Sequence, residues 1–110
     1  MEEETDEKKR YSSYKWIKFH TESWLTGTAR QELTPQERSA FLDLLCLAKR
    51  KKGFIEIPNR TLQARSLLIS RKLLDKTLQK LIKMETIRQI PDSTKETFYV
   101  VNWEIYQARN

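Results

Sequence analysis

Apolar residues recur along this chain at two periods, and each stretch of constant period predicts one element. Over residues 71–83, Leu74, Leu78, Leu81 and Ile82 return at helical spacing and would face a core. Arg71, Lys72, Lys76, Lys80 and Lys83 occupy the rest of that surface, with Asp75 the only acid among them. Upstream, Ala40, Phe41, Leu44, Leu45 and Ala48 describe another helix. Leu42 and Leu47 widen its apolar face, as expected of the most buried helix of a domain. Residues 54–58 read as a short strand, with Phe54, Ile55 and Ile57 ended by Pro58. Residues 86–90 and 96–101 are rich in β-branched and aromatic side chains and flank a turn built on Pro91, Asp92 and Ser93, which predicts a β-hairpin. Residues 14–20 alternate as well, with Ile17 and Phe19 on one side and Trp16 and Lys18 on the other, and predict a further short strand. The stretch 21–33 stays open between helix and loop: Trp24 and Leu25 suit a helical turn that Thr26, Gly27 and Thr28 interrupt.

Start and stop signals sharpen these boundaries. Thr34 sits at an N-cap position, Pro35 follows at the first helical position, and Glu37 stands where a capping box needs it. Lys49, Arg50, Lys51 and Lys52 suit the negative end of the helix dipole, and Gly53 suits the cap, so this basic run reads as helix termination more than as a nucleic-acid contact. Asn59 can cap a short helix reaching Leu67, with Ala64 and Leu67 buried; Ile69 would plug the following turn and Ser70 cap the basic helix. Leu68 stands where many helix-turn-helix turns have glycine, so this turn lacks a residue free to take positive φ. Residues 102–107 look like a helical start that packs Trp103 and Tyr106 back on the domain. Helix, strand, helix, turn, helix and hairpin, in that order, predict an α+β fold, mostly helical: a winged helix-turn-helix with a three-helix core and a C-terminal β-hairpin wing.

At 110 residues the chain is long enough for one domain with one modest core. Residues 1–12 have no apolar anchor before Tyr11 and are expected to be a disordered charged segment, leaving 13–110 as the domain. Only two glycines and three prolines are present, so regular elements should be long and turns short. No apolar run approaches the ~18 residues of a membrane helix, and the acidic start is unlike a signal peptide; a cytoplasmic protein without a membrane partner is expected. The single Cys46 lies on an apolar pattern and is expected as a buried small hydrophobe.

Charge adds the functional direction. The formal net charge is +6, but the first ten residues hold five acids against three bases, so the remainder carries +8. Residues 60–88 alone contain eight bases against Asp75 and Glu85. Such an excess favours a polyanionic partner through counterion release. A helix held by one face and cationic on the other has the form of a DNA recognition helix. In that arrangement Ser70, Arg71, Lys72, Asp75, Lys76 and Gln79 would enter the major groove, with Arg71 or Lys72 suited to guanine edges and Gln79 to adenine. Lys80, Lys83, Arg65 and Arg60 would contact phosphates. The hairpin tip, with Lys95 beside Asp92 and Glu96, suits minor-groove reading poorly. Catalysis finds no support, since His20 is the lone histidine, Cys46 has no metal-ligand spacing to it, and Gly27 and Gly53 cannot build a phosphate loop. No enzyme, metal site or cofactor is expected.

Trp16, Ile17, Lys18 and Phe19 at the front, the winged-helix pattern between, and Asn102, Trp103, Glu104, Ile105, Tyr106 and Gln107 at the close resemble phage replisome organiser proteins. Their N-terminal winged helix is related to that of the DnaD-like primosomal proteins. The resemblance covers roughly residues 14–107 and implies a role at replication origins, with duplex DNA as partner, self-association, and contacts to replication proteins. The separate C-terminal part of that family, which often contacts single-stranded DNA or the helicase machinery, has no counterpart within these 110 residues. Single-stranded DNA remains a second nucleic-acid partner through aromatic stacking on Trp16, Trp103 or Tyr106. Two other readings stand beside DNA binding in replication: a protein-interaction and oligomerisation module of a primosome-like assembly, and a transcriptional regulator on the same fold.

Overall fold

The computed structural model describes residues 17–108 except Asp92. The expected charged N-terminal segment therefore lies outside the described residues. Described helices and strands follow the order α1 (Thr21–Thr26), α2 (Thr28–Glu32), α3 (Pro35–Arg50), β1 (Phe54–Ile57), α4 (Arg60–Ser66), α5 (Arg71–Lys83), β2 (Ile87–Ile90), β3 (Glu96–Val100) and α6 (Trp103–Ala108). The chain is thus an α+β domain, mostly helical, with a small antiparallel sheet in the order β1-β3-β2. Among the described residues no helix is long and apolar enough to cross a membrane.

The helix starts follow their local signals. Thr34 Oγ1 accepts from the Glu37 amide at 3.1 Å and Glu37 Oε1 accepts from the Thr34 amide at 2.8 Å, so the capping box closes α3. Asn59 Oδ1 accepts from the Leu62 amide and Ser70 Oγ from the Leu73 amide, each at 3.0 Å, which satisfies donors that α4 and α5 would otherwise leave bare.

The helix ends are less conventional. Behind α3, α4 and α5 the chain reverses through a left-handed residue that is not glycine: Lys52 (φ 55°), Leu68 (φ 61°) and Glu85 (φ 61°). In each case the next amide returns to a carbonyl of the last turn, Gly53 to Ala48, Ile69 to Ala64 and Thr86 to Leu81. These are the six-to-one bonds of a Schellman motif. The turn between α4 and α5 is therefore built through positive φ after all, with Leu68 in the place a glycine usually takes and 92% exposed.

The core forms where α3 and α5 cross over the sheet. Phe41, Leu44 and Ala48 of α3 meet Leu74, Leu78 and Leu81 of α5, and the inward residues Ile55, Ile57, Ile87, Phe98 and Val100 of the strands close it. The register pairs Ile55 with Phe98 and Ile87 with Val100, so the apolar residues of all three strands share one sheet face, with Glu96 and Gln89 at its polar end. Trp103 plugs the end beside Gly53. A Cβ at Gly53 would lie 2.6 Å from the indole Cγ, and its φ of 101° suits glycine alone.

Three expectations need correction, and one open stretch is settled. Residues 17–20 form no strand. Instead the Gln107 carboxamide accepts from the Lys18 amide (2.8 Å) and donates to the Lys18 carbonyl (3.1 Å), standing in for a neighbouring strand. Ile82 is 37% exposed and faces away from the core, because Thr77 supplies the fourth buried position of α5. On α3, Leu42 and Cys46 are exposed, since the helix buries only one stripe; Cys46 is a surface thiol. Finally, 21–33 resolves into two short helices broken at Gly27: Trp24 stacks on Phe41 with ring centroids 6.0 Å apart, while Leu25 remains exposed.

Candidate nucleic-acid interface

Each turn of α5 divides the same way. Leu74, Thr77, Leu78 and Leu81 are buried, and at about 100° per residue they centre on a direction nearly opposite to that of Lys72, Lys76, Gln79 and Lys83. These four exposed residues lie within an arc of about 60° and extend along about 17 Å of helix. Among the described residues, Lys72, Lys76 and Lys83 have no ion-pair partner. Arg65, at the end of α4, is exposed and likewise unpaired.

The other cations near α5 are committed inside the protein. Arg60 donates from Nε to Glu96 Oε1 (2.7 Å), from Nη2 to Glu96 Oε2 (2.6 Å) and from Nη1 to Asp75 Oδ1 (2.8 Å). The start of α4 is thereby joined to both α5 and the central strand β3. Asp75 also receives Arg71 Nε at 3.2 Å, and Arg71 Nη1 donates to Thr61 Oγ1 at 2.9 Å. The Arg60 guanidinium holds the Asp75 carboxyl below its usual range, with Arg71 adding to the effect against a smaller opposing influence of burial. Glu96 raises the Arg60 pKa further, so the arginine stays charged at every accessible pH. Two arginines and two carboxylates thus form one electrically neutral strut.

Lys80 is engaged in the same manner. Its Nζ donates at 2.7 Å to Glu37 Oε1, the oxygen that already closes the α3 capping box. Burial pushes the Glu37 carboxyl up, but the Lys80 ammonium and the Thr34 hydrogen bonds outweigh it and leave the group lowered.

Of the ten residues that the sequence nominates, Lys72, Lys76, Gln79 and Lys83 thus share one open face, with Arg65 exposed at the end of α4. Ser70 serves as the cap of α5. Arg60, Arg71, Asp75 and Lys80 have protein partners. Comparisons with protein-family models, with curated proteins and with solved structures give no match to this chain.

A second feature adjoins the stripe. Lys83 also lines a groove of about 740 Å³ that runs between residues 19–20, α1 and the last turn of α5. Phe19, His20, Trp24 and Tyr106 supply its aromatic walls. The sequence nominates Tyr106 for base stacking but not the groove itself, which joins residues from both ends of the chain; of the other two stacking candidates Trp103 is buried and Trp16 lies outside the described residues. Among the described residues, no group of three or more His, Cys, Asp or Glu side chains is placed to hold a metal ion.

Proposed function

We propose that this chain is a winged-helix DNA-binding module of a phage-type replication-initiation protein, with α5 as the recognition helix and the β2–β3 hairpin as the wing. The observation that carries the reading is the lysine stripe. The protein neutralises Arg60, Arg71 and Lys80 with its own carboxylates yet leaves Lys72, Lys76 and Lys83 in a row without partners among the described residues. A solvated cationic face needs no such sorting, whereas a polyanion meeting α5 would find these ammonium groups first. In this reading Gln79, exposed among them, reads a base edge, and Arg65 holds a flanking phosphate. The replication role rests on the resemblance of the two end motifs to replisome organisers, and a transcriptional regulator would use the same surface.

The test is fluorescence anisotropy with labelled duplexes across a salt series. Lys72→Ala and Lys76→Ala should each flatten the log–log salt slope by about 0.9, and the double charge reversal to Glu should abolish binding. Failure of the native chain to bind duplex at low salt would overturn the reading.

An interaction and oligomerisation module is favoured by a different surface. On the outer sheet face the Phe54 and Tyr99 rings meet at 4.8 Å, and Ile105 beside Tyr99 and Val101 is 58% exposed. Under this reading Ile105→Glu dissociates a dimer in sedimentation experiments, and reversing Lys72 and Lys76 leaves it intact.

A further inference from the structure

We propose that the groove beside the C-terminal end of α5 binds single-stranded nucleic acid, taking unstacked bases against Phe19 and Tyr106 and a phosphate on Lys83. The groove's volume falls within the ~300–1,000 Å³ typical of sites that enclose a small ligand. Its two outermost rings are available: Phe19 is 40% exposed and Tyr106 is 41% exposed. Both are backed by a second ring. Phe19 leans on Trp24 at 5.4 Å between centroids, and Trp24 in turn stacks on Phe41. Tyr106 meets His20 edge-on at 5.3 Å, while His20 Nε2 donates to the Tyr106 carbonyl at 3.0 Å. Rings held in this way lose little freedom when a base stacks on them, which is the condition under which stacking contributes most.

Duplex DNA cannot use these rings, because its base faces are already covered by their neighbours. A single strand can, and Lys83 gives it continuity with the duplex-facing stripe, since the same ammonium belongs to both. An acidic peptide fits less well. Lys80 is neutralised by Glu37 and Glu32 lies in the groove lining, so Lys83 is the only unpaired cation there among the described residues. A segment such as 2–7, with five carboxylates, would find one partner and one repulsion. An oligonucleotide gains mainly through its bases and needs a single phosphate contact.

The experiment compares a labelled oligothymidylate of about eight nucleotides with a labelled duplex on the full chain. Phe19→Leu and Tyr106→Leu keep apolar bulk but remove the aromatic face, and unchanged circular dichroism melts would show that folding is intact. Each should weaken the oligothymidylate roughly tenfold and leave the duplex unaffected. Lys83→Glu should weaken both ligands, Lys72→Glu the duplex alone, and Glu32→Gln should strengthen the oligothymidylate. Unchanged oligothymidylate affinity in both leucine variants would overturn the proposal. So would tight Tyr106-dependent binding of a peptide of residues 1–10 with none of the oligothymidylate. Loss of duplex binding with ring-dependent single-strand binding intact would instead refute the recognition-helix reading and leave this one standing.

Discussion

Arg60→Ala removes a side chain that ties the start of α4 to both α5 and β3. Its three charge-assisted hydrogen bonds are short, between 2.6 and 2.8 Å, and two of them form a fork on Glu96. Arg60 and Glu96 are 26% and 27% exposed and Asp75 is 39% exposed. A solvated ion pair contributes about 0–1 kcal/mol, and breaking a buried one costs about 3–5 kcal/mol. The fork on Glu96 lies between these limits, and the more exposed Asp75 contact adds a screened fraction of a kcal/mol. A loss of about 2 kcal/mol is expected, which for a domain of this size lowers Tm by about 10 °C. Thermal melting by circular dichroism measures it, and a double-mutant cycle with Glu96→Ala should return a coupling of about 1 kcal/mol. Because every guanidinium nitrogen is engaged, the salt slope of duplex binding should stay at its native value, unlike that of Lys76→Ala. A Tm change within about 2 °C, or a slope reduced by about 0.9, would refute the strut: Arg60 would then be leaving its carboxylates to meet phosphate.

Gly53→Ala should cost at least about 2 kcal/mol, since the new methyl meets the Trp103 ring and the backbone is held at positive φ; a native urea midpoint would contradict this. Leu68→Gly should raise Tm by a few degrees, because relief of the left-handed leucine exceeds the added chain entropy and the lost side chain is almost fully solvated. Acid should destabilise the fold in a defined direction. Asp75 and Glu37 both sit below their ordinary values of 3.8 and 4.5, so their contribution is complete above that range and is lost as pH falls through the lowered values. Glu37→Gln should lower the neutral-pH urea midpoint and flatten its fall in acid.

The parts of the fold that could be read from sequence are those whose causes are local. Thr34, Pro35 and Glu37 announce α3 within four residues, and the hairpin needs only its own turn and flanking β-branched positions. The ends of α3, α4 and α5 are legible to within a residue or two, but not the left-handed residues that close them, because Lys52, Leu68 and Glu85 stand where glycine is the usual mark. The alternation at 17–20 is real, but its partner is a side-chain amide 89 positions away, so a strand was the wrong inference from a correct pattern. The same distance problem governs the candidate interface. Lys72, Lys76 and Lys83 look no different in sequence from Lys80 and Arg60. Only folding brings Glu37 within reach of Lys80 across 43 positions, and Glu96 within reach of Arg60 across 36. What sorts the cations is therefore tertiary, whereas the helical stripe that carries them is visible in the spacing.

The bond between Gln107 and Lys18 makes the described domain nearly a closed ring. Whatever precedes Ile17 and whatever follows Gln107 set out from adjacent points on one side of the molecule, so tension applied through both flanks would load two parallel hydrogen bonds before it reached the core. The covalent order of the elements is correspondingly interchangeable. A circular permutant that joins residues 17 and 107 by a short linker and opens the chain in the exposed 93–95 turn would retain all three strands and the α3–α5 packing.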